Sequence, residues 1–182
     1  AESEAEVQVM APMVSTAGEA HYFRELAQEH GIATAGVMVE VPSCAILADH
    51  VAPKVDFMSI GTNDLTQYTF AADRLLGTVA GFQDPWHPAV LRLIQLVGRA
   101  GAENQVPVGI CGEAAADPLL AVVLVGLGAT SLSMSPSSIA DVRAELALRT
   151  LDDARRLAAL AVSAESAETA RQAVIDATAA SA

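Results

Sequence analysis

Positive charge is scarce in this chain. Its 182 residues carry ten Lys and Arg against 22 Asp and Glu, and Lys54 is the only lysine. A formal net charge of −12 and a pI of about 4.5 argue against a nucleic-acid partner and against an anionic membrane surface. Cysteine is nearly absent: Cys44 and Cys111 have neither metal-type spacing nor a disulfide framework. A reduced, cytoplasmic setting is therefore expected. No apolar run reaches the roughly 18–20 residues of a membrane span, so no membrane insertion is expected. No basic, apolar leader opens the chain, and nothing in it calls for secretion.

What is present is an alternation of apolar strands and helices. Strands are expected over residues 7–14, 36–41, 55–60, 106–111 and 131–135. Ser15 or Thr16, with Glu19 in the first turn, caps a helix that ends at His30-Gly31. Further helices are expected over residues 42–50, 63–72, 88–102 and 118–127, and from Ser137 or Ser138. Asp84-Pro85 and Asp117-Pro118 each set a capping carboxylate before a helix-starting proline. From Thr150 the chain is alanine-rich and helical to its end. Residues 1–150 thus form one α/β region, and residues 151–182 a helical extension of the same domain.

Five strands alternating with helices point to a parallel sheet. A (βα)8 barrel takes roughly 31 residues per unit, so about 150 residues hold five units. The pattern fits an open α/β sheet or the C-terminal five-eighths of a barrel. A barrel portion of that kind has two parallel edges to cover or pair.

The strand ends carry the chemistry. Val55, Phe57, Met58 and Ile60 run into Gly61-Thr62-Asn63-Asp64. Val37-Met38-Val39 runs into Glu40 and Pro42, and Val108-Gly109-Ile110 into Cys111-Gly112-Glu113. In α/β proteins ligands sit at the carboxyl ends of parallel strands. Glu40 and Asp64 suit Mg²⁺, which takes one or two carboxylates and fills its octahedron with water and substrate oxygens; each can also simply cap a helix. Cys111 can donate a proton, act as a nucleophile, or lie buried as packing. Arg74 can grip phosphate or carboxylate, or pair with Asp73 on the surface. Cys44 reads as helix packing, and His21, His30, His50 and His87 have no nucleophile–base context.

Several of these stretches, in order, resemble enzyme I of the bacterial phosphoenolpyruvate:sugar phosphotransferase system. They are Met38-Val39-Glu40-Val41-Pro42, then residues 55–69, then Ala71-Ala72-Asp73-Arg74, then Gly109-Ile110-Cys111-Gly112-Glu113, then Ser133-Met134-Ser135. The resemblance runs from Val9 to about Ile139. It implies part of a (βα)8 barrel that binds phosphoenolpyruvate and Mg²⁺ and forms a homodimer. It implies Glu40 and Asp64 as Mg²⁺ ligands. Asn63, Asp64 and Arg74 become substrate-binding residues, and Cys111 the acid that protonates the enolate to pyruvate.

Parts of the family pattern have no counterpart in these residues. They are the first barrel strands, with further phosphate-binding arginines, and the N-terminal domain whose histidine accepts the phosphoryl group. That domain is also the route to the histidine-containing phosphocarrier protein. The helix between Val14 and Gly36 is shorter than in many members. The stretch alone is therefore expected to be inactive in phosphotransfer. Competing readings are the same domain of pyruvate phosphate dikinase or phosphoenolpyruvate synthase, a non-catalytic dimerisation module, and a metal-dependent aldolase or lyase acting on pyruvate.

Overall fold

In a computed structural model, residues 6–180 are described. Residues 1–5 and 181–182, the outer ends of the two expected regions, lie outside the described residues. Five strands hydrogen-bond in chain order, all parallel: β1 (Gln8–Ala11), β2 (Thr34–Val39), β3 (Met58–Gly61), β4 (Val108–Cys111) and β5 (Ser131–Ser133). Sequential order follows when each right-handed crossover steps the same way, which puts the helices on one face. The sheet does not close on itself. It is the open arc of a partial barrel, as expected of five βα units.

Alternation along the strands separates the two faces. Val37, Val39, Met58, Ile60, Val108 and Ile110 point to the helices and are buried. Each contributes about 1.5–3 kcal/mol by leaving water. The opposite face carries mainly small and polar residues with Met10 and Met38 among them. Gln8, Met10, Thr34, Ser59, Gly109 and Ser131 line a concavity of about 490 Å³ there. Register keeps the two sets apart: Met58 stands beside Val108 and Ile60 beside Ile110, while Ser59 pairs with Gly109 and Gly61 with Cys111.

Helices α1 (Ala17–Glu29), α2 (Pro42–Ile46), α3 (Ala48–Val51), α4 (Thr62–Phe70), α5 (Pro88–Asn104), α6 (Pro118–Gly126) and α7 (Ile139–Ala147) connect and cover the strands. Thr16 and Glu19 form a reciprocal capping box at α1. Several expected boundaries are corrected. β1 stops at Ala11 rather than residue 14, because Pro12 follows and Met13 takes a φ of 56°. The helix over residues 42–50 breaks at Leu47 into α2 and α3. Asp84 caps only a local turn, at the Trp86 N–H (2.9 Å). The N-cap of α5 is His87, whose Nδ1 accepts the Ala89 N–H at 3.2 Å. The alanine-rich end is a pair of helices, α8 (Leu151–Ser163) and α9 (Ala167–Ala179), split where Ser166 caps the second.

Two carboxylates tie this fold together. Asp56 takes Arg24 Nη2 at 2.8 Å and the Ala35 N–H at 3.0 Å, pinning α1 to the start of β3. Asp117 is the busier of the two. Its Oδ1 accepts the Leu119 and Leu120 N–H groups at the start of α6 (3.0 and 3.1 Å). Its Oδ2 takes buried Trp86 Nε1–H at 3.0 Å and Arg171 Nη2 of α9 at 2.7 Å. The Arg171 guanidinium also lies 5.5 Å from the Trp86 ring centroid. α8 packs on α5 and α6, and α9 on α8, so the last two helices join the core of the rest.

Burial alone pushes the Asp117 carboxyl up, but the Trp86, Leu120 and Arg171 donors outweigh it and hold it below its usual value. A depressed folded-state pKa gives stability that is present above the unfolded value of about 3.9 and lost as pH falls through the folded one. Asp117→Ala is expected to cost about 2–4 kcal/mol, because it strands the Trp86 and helix-end donors together. Thermal melts from pH 7 to pH 2 check this. The variant should melt lower at pH 7, and the gap should narrow below pH 4.

Candidate active site

The carboxyl ends of β2, β3 and β4 meet around Gly61. Glu40 follows β2 directly and is only 5% exposed. Its Oε2 accepts the Met13 N–H at 3.0 Å. A Cβ on Gly61 would lie 2.6 Å from Glu40 Oε1 and 2.7 Å from its Cγ, so the missing side chain makes the space that Glu40 fills. Gly61 is also the N-cap of α4 and offers no side chain to the first-turn N–H groups. Asn63 and Asp64 lie in that first turn, both half-buried. An acidic residue there is favoured by the helix dipole whatever else it does.

Cys111 ends β4 beside Gly61 in the register. Its S–H donates to the Ile60 carbonyl (3.4 Å), and its sulfur accepts the Ser59 hydroxyl (3.7 Å). Thr62, buried, donates its hydroxyl to the Cys111 carbonyl at 3.1 Å and bolts α4 to the end of β4. Gly112 follows with φ 103°, and a Cβ there would reach Thr62 Oγ1 at 2.7 Å and Asn63 Oδ1 at 3.3 Å. Arg74 is exposed on the segment after α4, with its N–H on Gln67 Oε1. It lines a groove of about 440 Å³ with Thr62, Asn63, Gln83 and Glu113.

Tertiary structure thus places Glu40 against Gly61, Cys111 against Thr62, and Arg74 in one groove with Asn63. Among the described residues, no three His, Cys, Asp or Glu side chains cluster in a metal-holding group. Two carboxylates are offered at these strand ends, Glu40 after β2 and Asp64 in the first turn of α4, and Mg²⁺ commonly takes one or two carboxylates beside water and substrate oxygens. The motifs read from sequence contain Ser59, Thr62 and Glu113 without giving them a role, and Met13 lies outside the candidate residues. Ser59 was open to detection: it is the one hydroxyl between Met58 and Ile60, so alternation sends it to the face of Gly109 and Cys111. Met13 carried no such signal.

The family model for the PEP-utilising enzyme, PEP-binding domain, matches residues 1–151. The chain belongs to that family. Phosphoenolpyruvate-protein phosphotransferase of Streptomyces coelicolor is 53% identical over 168 residues, covering 92% of this chain and 30% of that protein. The Bacillus subtilis phosphoenolpyruvate-protein phosphotransferase is 50% identical over 111 residues, 61% of this chain and 20% of that protein. The multiphosphoryl transfer protein of Rhodobacter capsulatus is 40% identical over 172 residues, 91% of this chain and 21% of that protein. The chain thus spans about 30% or less of the length of these relatives. In fold it is similar to the citrate lyase beta subunit of M. tuberculosis complexed with oxaloacetate and magnesium. That match has a TM-score of 0.55 at 17% identity, over 76% of this chain and 60% of the other. A citrate lyase of Burkholderia xenovorans matches at TM-score 0.56 and 15% identity, over 94% and 63%. At such identities these two speak for the fold alone.

The two thiols differ in setting. Cys44 is 0% exposed in α2, and burial pushes its pKa up to about 11. Cys111 is half-buried at a strand end. Iodoacetamide at neutral pH should modify one thiol per native chain, mapping to Cys111. It should modify two only after unfolding, by mass spectrometry. Native modification at Cys44 is the contrary result.

Proposed function

We propose that this domain is the phosphoenolpyruvate- and Mg²⁺-binding portion of enzyme I. In that enzyme the phosphoryl group of phosphoenolpyruvate passes to a protein histidine and on to the phosphocarrier protein for sugar uptake. The observation that carries the reading is the meeting at Gly61 of a buried carboxylate, a helix start without a capping side chain, and a thiol. The family match supports the substrate class, and the phosphotransferase relatives favour enzyme I over a dikinase or synthase. The domain is read as a cytoplasmic homodimer in which residues 151–182 extend the same unit.

Glu40 and Asp64 would hold Mg²⁺, which when bound offsets the charge of phosphoryl and carboxylate oxygens. The first-turn N–H groups of α4, at Asn63 and Asp64, receive phosphate oxygens. Arg74 orients the substrate from the groove. When the phosphoryl group has left, Cys111 delivers its proton to the methylene carbon of the enolate. The S–H electron pair stays on sulfur, and the enolate pair forms the new C–H bond of pyruvate. The bond from Ser59 stabilises sulfur as it becomes negative. A body of net charge −12 repels a multiply anionic substrate, so binding is weak and requires the cation.

Calorimetric titration of phosphoenolpyruvate into this chain tests the reading. Heat is expected with Mg²⁺, none with chelator, and an affinity lower by at least ~10-fold in Asp64→Ala. Equal binding in chelator would overturn the metal assignment. A stable dimer that ignores phosphoenolpyruvate under all conditions would favour a non-catalytic dimerisation module.

A further inference from the structure

Among the described residues, three non-glycine residues have positive φ: Met13, Ala71 and Gln105. Ala71 and Gln105 are the C-caps of α4 and α5, where the left-handed conformation is an ordinary way to end a helix. Met13 has no such excuse. It follows Pro12 after β1, four residues before α1. Its side chain is 42% exposed, so packing of that side chain does not hold the backbone in place. A conformation that L-residues avoid persists where its surroundings determine it, and such positions gather at functional sites.

The local geometry shows what this conformation accomplishes. The chain bends at Pro12 and Met13, and the Met13 N–H meets Glu40 Oε2 at 3.0 Å. Glu40 is held from two sides. Gly61 lies against its Oε1 and Cγ, and the Met13 amide holds its Oε2. A carboxylate so confined has little freedom to rotate. We propose that Met13 is a positioning residue for the cation site, its left-handed backbone aiming an N–H that fixes the Glu40 carboxylate. The inference rests on the reading of Glu40 as a metal ligand. It adds a main-chain donor from the β1 end that orients the ligand from the β2 end. Groups behind a metal ligand commonly set its affinity by fixing the ligand before the ion arrives.

The test is Mn²⁺ binding to the 182-residue chain, followed by electron paramagnetic resonance, for the unaltered protein and for Glu40→Ala, Met13→Gly and Met13→Pro. Met13→Pro removes the N–H and forbids positive φ, and should weaken Mn²⁺ by about 10- to 100-fold. Met13→Gly keeps the N–H and reaches positive φ freely. It should hold affinity within a few-fold and melt higher. Should Met13→Pro fail to fold, the Met13 amide decides by NMR. It should be protected from hydrogen exchange in the unaltered chain and lose that protection in Glu40→Ala, while Leu65 in α4 stays protected. Metal binding lost in Glu40→Ala but untouched in Met13→Pro overturns the role of Met13 alone. Metal binding untouched in Glu40→Ala overturns the ligand assignment, and this inference with it. An amide at Met13 that exchanges freely in the unaltered chain also overturns it.

Discussion

The absence of a side chain at Gly61 is the constraint on which the site depends. Three elements use the same small space: the Glu40 carboxylate fills it, β4 pairs across it at Cys111, and α4 starts from it. A methyl group there would push against the Glu40 carboxylate. It would force either the carboxylate out of its confinement or the β3 end away from β2. Burial of a carboxylate at 5% exposure is costly without a partner. The Met13 N–H supplies that partner within the chain. Site and strand packing are therefore one problem solved by one glycine.

A second constraint works where α6 begins, a few residues past the carboxyl end of β4. Asp117 gathers the start of α6, the Trp86 indole and Arg171 of α9 onto one carboxylate. The Trp86 indole is buried and would be costly unpaired, while Arg171 is half exposed, and one carboxylate orders all three segments at once. With α8 packed on α5 and α6, the helical end reinforces the outer layer of the sheet. The inner face of the arc mixes polar and small residues with Met10 around its concavity, while Val37, Val39, Ile60, Val108 and Ile110 point to the helices.

Much of this was legible from residue order. Apolar alternation broken by glycine and proline announced five strands and their parallel connection, because period-two burial and helix-length crossovers leave strong marks. The capping box at Thr16 and the cap at Asp117 were legible because capping chemistry is local. Asp84 was not. It has the same Asp-Pro signature, but the chain turns again at Trp86 and hands the cap to His87. The alanine-rich end was legible as helix but not as two helices. Alanine propagates helix without marking where Ser166 interrupts it.

By itself, the sequence determined the class of fold, the order of the strands, and the residue types that follow them. These follow from hydrophobic periodicity and from the few side chains able to serve cation, phosphate and proton chemistry. Only the tertiary structure decided which groups meet. Ser59 reaches Cys111 across a strand pair, Thr62 ties α4 to β4, and Met13 reaches Glu40 across 27 residues of chain. The reason is physical. Each of these contacts depends on register or on a left-handed backbone, and neither is written in the identity of a single residue.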